Sequence, residues 1–186
     1  MIVSYNKEKA YNAITFFLEH TSMCNKKKLF KLLWLLDSEH YQETGRSVTG
    51  YVYEAWQMGP VPVELDRAMK KHDPELLEHF DLKRQAGSEK KNWIWLESKH
   101  PFEAKYFSKK QLQLLQNLVD RFDLATGTEM EAWTHRAGTP WHQVWMVENK
   151  NKAVIPYEYT LKTLPQEKQD AILAIARERE SFLRQF

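Results

Sequence analysis

The stretch from Trp133 to Trp145, WTHRAGTPWHQVW, is the densest group of side chains in the sequence that could do chemistry. It places two histidines, one arginine and three tryptophans within thirteen positions. Imidazole acts as a general acid or base and as a metal ligand, and aromatic rings beside arginine are typical of nucleic-acid and protein interfaces. Gly138 and Pro140 interrupt a helix, so the stretch is also consistent with a joint between two helices.

The histidines do not have the spacing of a metal site. None of the seven lies in an HExxH motif, and no two are spaced i, i+4, as a compact metal-binding helix face favours. His72 and His79 are seven apart, as are His135 and His142, but a proline lies between the members of each pair. The six glycines form neither GxxxxGK nor GxGxxG. The sequence therefore predicts no metal and no cofactor.

No catalytic group is recognisable either. The sequence has no GxSxG motif, and its single cysteine, Cys24, has no histidine partner that the sequence identifies. Glu39 and Glu43 are spaced i, i+4, but carboxylates so arranged on a helix usually face solvent. We therefore expect that the protein is not an enzyme and that Cys24 is a small buried side chain.

Length and composition indicate one soluble domain that spans residues 1–186. A chain of 186 residues can bury a core without metals or disulfides. The longest apolar stretch, residues 29–36, is interrupted by Lys31 and is much shorter than the roughly 20 residues of a membrane span. The first ten residues lack the pattern of a signal peptide. We expect a cytoplasmic protein that makes no membrane contact.

Lys26, Lys27, Lys28 and Lys31 form the densest basic run, although the formal net charge is only +2. They lie in the first turns of a predicted helix, where positive charge opposes the helix dipole. This arrangement is consistent with binding to nucleic-acid phosphates or to an acidic protein surface. A helix start whose lysines face solvent is the simpler interpretation and the one that we favour.

Hydrophobic periodicity predicts a mainly α (α+β) fold, a compact multi-helix domain with a buried central helix and a small antiparallel β-sheet. Asn6 is a suitable cap for a first helix that runs to about His20. Asn25 is a suitable cap for a second helix, which ends at Gly45. Because this second helix is apolar over most of its circumference, we place it in the middle of the fold.

Two regions have the composition of β-strands. Residues 47–56 are rich in β-branched and aromatic side chains, and residues 81–98 read as two short strands around a Gly-Ser turn. Between them, Gly59–Pro62 is predicted to be a turn that leads into a third helix, with Pro62 in the first helical turn.

The second half of the sequence is predicted to be helical. Ser108 and Gln111 form a capping box before one helix, and Thr128 and Glu131 form a second box before another. A terminal helix is expected over residues 166–186. The side chains predicted to face inward from it are Ile172, Ile175 and Phe182.

Three separated motifs resemble those of the SocA-like antitoxin domain, also called the Panacea domain. That family opens with a KLxKLLY-type helix and a GR pair. It continues with an aromatic-rich strand and a GPV-P segment, and carries an LTH…PW signature nearer the C-terminus. Trp34 stands where the family often has tyrosine, and Trp133 where it has leucine. The resemblance covers about residues 10–160. The matching positions are Lys28, Leu29, Lys31, Leu32, Leu33, His40, Gly45, Arg46, Glu54, Trp56, Gly59, Pro60, Val61, Pro62, Thr134, His135, Pro140 and Trp141.

The resemblance implies the antitoxin half of a type II toxin–antitoxin pair. Such a protein binds a toxin encoded by a neighbouring gene and inhibits it directly. Toxins of this family are of many unrelated kinds. One branch implies an alternative, an adaptor that delivers its toxin to an ATP-dependent protease. A nucleic-acid-binding regulator that uses residues 26–31 is a further alternative. Phage-encoded interference with host defence is another, and it would use the same binding chemistry as an antitoxin. We do not expect nucleic acid as the partner, because the chain begins almost at the domain.

Two places are predicted to contact the partner protein. One is the surface near Gly59–Pro62, and the other is the strand that carries Trp93 and Trp95, which could form an exposed aromatic patch. The opening stretch is interpreted as a helix–helix joint. There His135 is expected to form a hydrogen bond to the backbone or a neighbouring side chain, with Trp141 packed against it.

Overall fold

The helices and strands follow the order that the sequence predicts. The computed structural model describes residues 6–86 and 92–183. The helices are α1 (Lys7–His20), α2 (Lys26–Thr44), α3 (Val63–Lys71), α4 (Pro74–His79), α5 (Lys109–Phe122), α6 (Gly127–Thr134), α7 (Pro140–His142) and α8 (Gln166–Leu183). Short 3₁₀ segments occupy Ala104–Tyr106 and Tyr157–Thr163. The predicted mainly α (α+β) class is confirmed, and within the described residues no helix is long and apolar enough to cross a membrane.

Two antiparallel hairpins complete the fold. β1 (Tyr53–Trp56) pairs with β2 (Gly59–Pro62), and β3 (Phe80–Ala86) pairs with β4 (Asn92–Ser98). They form two separate two-stranded sheets. The turn predicted between β3 and β4 falls on residues 87–91, which lie outside the described residues.

The segment Gly59–Pro62 is a strand, and the prediction of a turn there is wrong. The turn consists of Gln57 and Met58, just before it. Pro62 is the last residue of β2 and occupies the N-cap position of α3. It therefore lies just before the first turn of α3 rather than in it. Prolines fit this strand because it lies at the edge of its two-stranded sheet, where a missing N–H leaves no ladder partner unsatisfied.

Helix α2 is the centre of the fold, and both of its predicted ends are confirmed. The Asn25 side chain accepts a hydrogen bond from the Lys28 N–H at 3.0 Å. Gly45 ends the helix in the left-handed conformation, with φ of 67°. Most residues of α2, on all of its faces, are buried. Helices α1, α5, α6 and α8 and strands β2 and β4 all pack against it.

The second predicted capping box is wrong by two residues. Thr126, not Thr128, caps α6, and it exchanges hydrogen bonds with Glu129. The T-x-x-E pattern occurs twice here, at 126–129 and at 128–131. Glu131 is not available as a cap because it pairs with Lys27 on α2.

The predictions for the start of α5 and for the buried face of α8 are partly confirmed. The capping box of Ser108 and Gln111 is present at the start of α5. On α8, Ile172 is buried as predicted, but Ile175 and Phe182 are 45% and 59% exposed, so that part of the prediction is wrong. The reason is that α8 contacts the rest of the domain through the turn that contains Ile172, which lies directly against Gly45.

The stretch from Trp133 to Trp145 is a helix–helix joint, as predicted. α6 ends at Thr134, and Gly138 takes a φ of 85° in the turn that follows. The Thr139 side chain then caps α7, which continues into a π-helical turn over Gln143–Val147.

Asp37 of α2 connects this helix to the chain that leads to β1. It is completely buried, and its carboxylate accepts hydrogen bonds from the backbone N–H groups of Val48 and Thr49, both at 2.7 Å. The Thr49 hydroxyl and the Tyr53 hydroxyl donate to its other oxygen, the latter at 2.8 Å. Burial raises the pKa of this carboxyl, while these hydrogen bonds act in the opposite direction. One side chain thus fixes the chain between α2 and β1.

We expect Asp37→Ala to destabilise the domain strongly. It would leave two backbone N–H groups and two hydroxyls buried without their acceptor, at a cost of roughly 3 kcal/mol or more in the free energy of unfolding. Urea denaturation of the variant measures this loss. The control is Asp120→Ala, which removes an exposed carboxylate bonded to Gln116 and should change stability by less than about 0.5 kcal/mol. Equal effects of the two substitutions would contradict the central role of Asp37.

Candidate functional site

The basic run at the start of α2 is neither free nor solvated. Lys26 forms an ion pair with Asp66 of α3 at 2.6 Å, and the Asp66 carboxyl is only 7% exposed. Lys27 pairs with Glu131 of α6. These two lysines therefore connect α2 to two other helices, and the favoured interpretation of a solvated helix start is wrong for both.

Lys28 makes a third internal connection. Its amine donates to the backbone carbonyls of Ser22 at 2.7 Å and Asp123 at 2.6 Å. It thereby links the loop before α2 to the end of α5. The lysines at 26–28 are therefore all engaged in contacts within the domain.

The fourth lysine, Lys31, is also buried, with only 1% of the residue exposed. Its Nζ donates one hydrogen bond, to the Pro60 carbonyl at 3.2 Å. Burial lowers the pKa of this amine to about 7, while Glu131 raises it and Lys27 lowers it further. At neutral pH the Lys31 amine is therefore partly uncharged.

Gly59 is placed against Lys31 by the same contact between α2 and β2. Its φ is 101°, and a Cβ at this position would lie 2.5 Å from Lys31 Cε and 3.1 Å from the Thr134 hydroxyl oxygen. A residue with a side chain would clash there, and the left-handed φ would strain it as well. The side chain of Lys31 in the first helix motif therefore requires a glycine at position 59 of the GPV motif.

The imidazole of His135 stacks on the indole of Trp141, with ring centres 3.6 Å apart and planes inclined by 7°. Trp141 stacks in turn on Trp145 at 5.7 Å. The Trp141 Nε1–H donates to the carbonyl of Trp56 at 2.8 Å, which ties the joint to the β1–β2 turn. The predicted packing of Trp141 against His135 is confirmed.

The predicted hydrogen bond of His135 is wrong for its Nε2 atom. That atom is buried and has no hydrogen-bond partner among the described residues. Burial lowers the pKa of His135, and the nearby amine of Lys31 acts in the same direction, which favours the neutral imidazole. Stacking, rather than hydrogen bonding through Nε2, holds the ring.

These contacts bring the three separated motifs together at one place. We call this set of residues the Lys31 corner. Its members are Lys31, Gly59, Pro60, Thr134, His135 and Trp141.

Most of the other motif residues belong to the helices and strands that surround the Lys31 corner. Their common property is that they pack in the core or end a helix rather than line an opening. They are Leu29, Leu32 and Leu33 of α2, Val61 and Pro62 of β2, Gly45 at the end of α2, and Pro140 at the start of α7. Arg46 is different, because it is exposed and lies at the opposite end of α2.

The second predicted contact region, on β4, is only partly described. Trp95 is half-buried, its backbone bridges to Asn25, and its indole N–H is buried without a partner among the described residues. Trp93 belongs to β4, but its side chain lies outside the described part of the structure. Trp95 therefore contributes at most part of its surface to an exposed aromatic patch.

The Lys31 corner lies within the part of the chain that matches a known family. The model of the family described as Antitoxin SocA-like, Panacea domain, matches residues 29–142, which is more than half of the chain. The chain belongs to this family. No curated protein and no solved structure matches it. Membership of the family supports an antitoxin role and favours a regulatory rather than a catalytic function.

The geometry of this Panacea domain explains why its motifs are spaced as they are along the chain. In the described residues, no group of three or more His, Cys, Asp or Glu could hold a metal ion. The partly uncharged amine of Lys31 is a possible nucleophile by its pKa alone, but its exposure of 1% leaves no room for a substrate in this conformation. The Lys31 corner is therefore suited to holding the hairpin and the helix joint in a fixed position. Sequence reasoning missed this because it assigned the lysines to the surface.

We expect Gly59→Ala to cost more stability than the same change at Gly138. Both glycines have positive φ, so both variants carry backbone strain of about 1 kcal/mol or more. Only at Gly59 would the new Cβ also clash, because nothing lies within 4 Å of a Cβ at Gly138. Thermal and chemical denaturation of both variants should show an additional loss of roughly 1–3 kcal/mol for Gly59→Ala. Equal losses would show that Lys31 moves aside freely.

The buried amine of Lys31 should also leave a signature in the pH dependence of stability. Its pKa is about 7 in the folded state and near 10.5 in the unfolded chain, so between these values the unfolded state binds more protons. The free energy of unfolding should therefore rise with pH from about 7 to 9, by up to about 1.4 kcal/mol per pH unit from this group. Lys31→Met should remove this rise, whereas Lys71→Met, at an exposed position of α3, should keep it. Parallel profiles for wild type and Lys31→Met would disprove the assignment.

Proposed function

We propose that this chain is a cytoplasmic antitoxin that neutralises a protein toxin, encoded by a neighbouring gene, by binding it directly. Membership of the SocA-like family supports the antitoxin role. The observation that supports direct binding is an apolar surface that the Lys31 corner holds in place beside the β1–β2 turn.

This surface consists of Met58, Met146, Val147 and Val154, and we call it the hairpin surface. Their exposed fractions lie between 52% and 61%, which is high for large apolar side chains. Met58 belongs to the β1–β2 turn, while Met146 and Val147 belong to the π-helical turn after α7. Their segments contact each other, since β1 packs against the π-helical turn and Glu54 bridges to Val154. We therefore infer that the four side chains form one apolar patch, as is typical of protein-binding sites.

Backbone hydrogen bonds join the segments that carry the hairpin surface. Ala55 donates to the Ala153 carbonyl at 2.9 Å and accepts from the Lys152 N–H at 2.8 Å, so the segment with Val154 runs along β1. The Trp141 indole fixes the helix joint to the Trp56 carbonyl. A rigid surface loses little conformational entropy when it binds, which favours affinity.

The chemistry of the hairpin surface suits partners of varied shape. Methionine side chains are flexible and polarisable, so they adapt to different apolar surfaces. At the edge, the amines of Lys70 and Lys152 lie over the Trp56 ring at 4.8 and 5.5 Å. These cations would favour a toxin that presents apolar side chains bordered by carboxylates.

The experiment expresses the product of the neighbouring gene alone, with the wild-type chain, and with a Met58→Glu/Met146→Glu variant. We expect the product alone to stop growth and the wild-type chain to restore it. The double variant should fail to restore growth and should bind the toxin at least about tenfold more weakly, because two buried carboxylates would replace apolar contacts.

Leu124→Glu is the matched control. Leu124 is 84% exposed in the loop after α5 and does not belong to the hairpin surface, so this variant should still restore growth. All variants should unfold at the temperature of the wild type, which shows that they fold. A neighbouring product that is harmless alone, or that stays toxic beside the wild-type chain, would refute direct neutralisation. Full rescue by the double variant would refute the hairpin surface as the contact.

A further inference from the structure

A polar cleft of about 490 Å³ opens at the C-terminal end of α2, at the opposite end of that helix from the Lys31 corner. It lies between the start of α1, the end of α2, the start of α5 and the last turns of α8. Its main polar side chains are Lys9, His40, Thr44, Arg46, Gln111 and Arg179. The volume is within the usual range of small-molecule sites.

The charge of this cleft is strongly unbalanced. Lys9, Arg46 and Arg179 all line it, and none of the lining residues is a carboxylate. In the described part of the chain, neither arginine takes part in an ion pair. Glu43, which is next to Thr44 in the sequence, pairs with Lys110 at 2.7 Å. The walls therefore carry three positive charges that no neighbouring side chain neutralises.

Arg46 and Arg179 line the same cleft, so their like charges repel each other. Burial lowers the pKa of Arg179, and the charge of Arg46 lowers it further. Like charges held together without a counter-charge destabilise a folded protein unless an anion binds between them. Such an arrangement is typical of sites that recognise phosphate groups.

The residues behind the arginines fix the site. The His40 Nδ1–H donates to the Arg46 carbonyl at 2.6 Å, and its Nε2 accepts from the Gln111 amide at 3.3 Å, so both contacts suit a neutral imidazole. Burial lowers the pKa of His40, in agreement with that form. Gly45 places the chain directly against α8, which carries Arg179.

We propose that this cleft binds the phosphate group of a small phosphorylated ligand. Arg46 and Arg179 would grip the phosphate from two sides, and the Lys9 amine would neutralise its remaining charge. The Thr44 hydroxyl is a further polar group in the wall. The cleft is much larger than a phosphate ion, so it has room for an organic part such as a nucleoside. The proposal is independent of toxin binding, because it concerns the other end of α2.

A phosphate monoester fits this charge better than a carboxylate. At neutral pH it carries close to two negative charges and three acceptor oxygens, whereas a carboxylate carries one charge and two oxygens. Two arginines can therefore bind separate oxygens of the same phosphate group, which a single carboxylate allows less well.

The test uses the full chain and measures binding by calorimetry and by the shift of the unfolding temperature. The probes are inorganic phosphate, pyrophosphate, adenosine monophosphate and adenosine triphosphate, with succinate as a dianion that lacks phosphorus. All are compared at equal ionic strength, since exposed cations also attract salt anions. We expect the phosphorylated probes to bind with dissociation constants of about 1 mM or less and to raise the unfolding temperature, unlike succinate. Tighter binding of the nucleotides than of inorganic phosphate would identify a nucleoside phosphate, and equal binding would identify the phosphate group alone.

Arg179→Gln should weaken phosphate binding by about tenfold or more, because it removes one charge-assisted contact. Its unfolding temperature without ligand should not fall, since the substitution also removes the repulsion from Arg46. Arg177→Gln, at an exposed position of the same helix, is the matched control and should bind like the wild type. The proposal fails if no phosphorylated probe binds, if succinate binds equally well, or if the two arginine variants behave alike.

Discussion

The rest of the structure depends on the burial of α2 on all sides. A helix in the middle of a domain places its polar side chains away from water, where each needs a partner or changes its charge. Asp37 accepts from the chain between α2 and β1, and Lys28 donates to two loop carbonyls. Within the described residues, the Lys31 amine donates to one carbonyl, that of Pro60, and burial strongly lowers its pKa. These polar contacts determine which loop lies against which face of α2, because apolar packing alone would allow several arrangements.

The family motifs are the residues that α2 organises. Lys31 of the first motif contacts the GPV strand, and Lys28 contacts the loop before α2 and the end of α5. The leucines of this motif fill the core around them. His135 and Trp141 stack on each other at the joint between α6 and α7. One hydrogen bond from Trp141 joins this joint to the β1–β2 turn. These contacts of the motif residues hold the hairpin and the helix joint in place.

The two ends of α2 differ in chemistry. Near its start, Lys26 and Lys27 pair with Asp66 and Glu131, and Lys28 donates to backbone carbonyls. The side chains of the hairpin surface are apolar. At its end, Arg46 and Arg179 face a polar cleft without a counter-charge. An apolar surface suits a protein partner, and a cationic cleft suits an anion, so the two ends can serve different ligands without competing for the same residues.

Local signals in the sequence determined the fold class, the caps of α1, α2 and α5, the helix joint and the family. Each depends on a few neighbouring residues, such as Asn25 before its helix or Gly45 after it, and local backbone preferences are strong there. The sequence alone did not determine whether the lysines at 26–31 face solvent or contact other parts of the domain. A lysine at a helix start has the same local sequence signal in both cases. It also could not choose between the two overlapping T-x-x-E boxes, because that choice depends on the pairing of Glu131 with Lys27. The cleft of Arg46 and Arg179 was equally hidden, because only tertiary packing places a residue of α8 beside the end of α2.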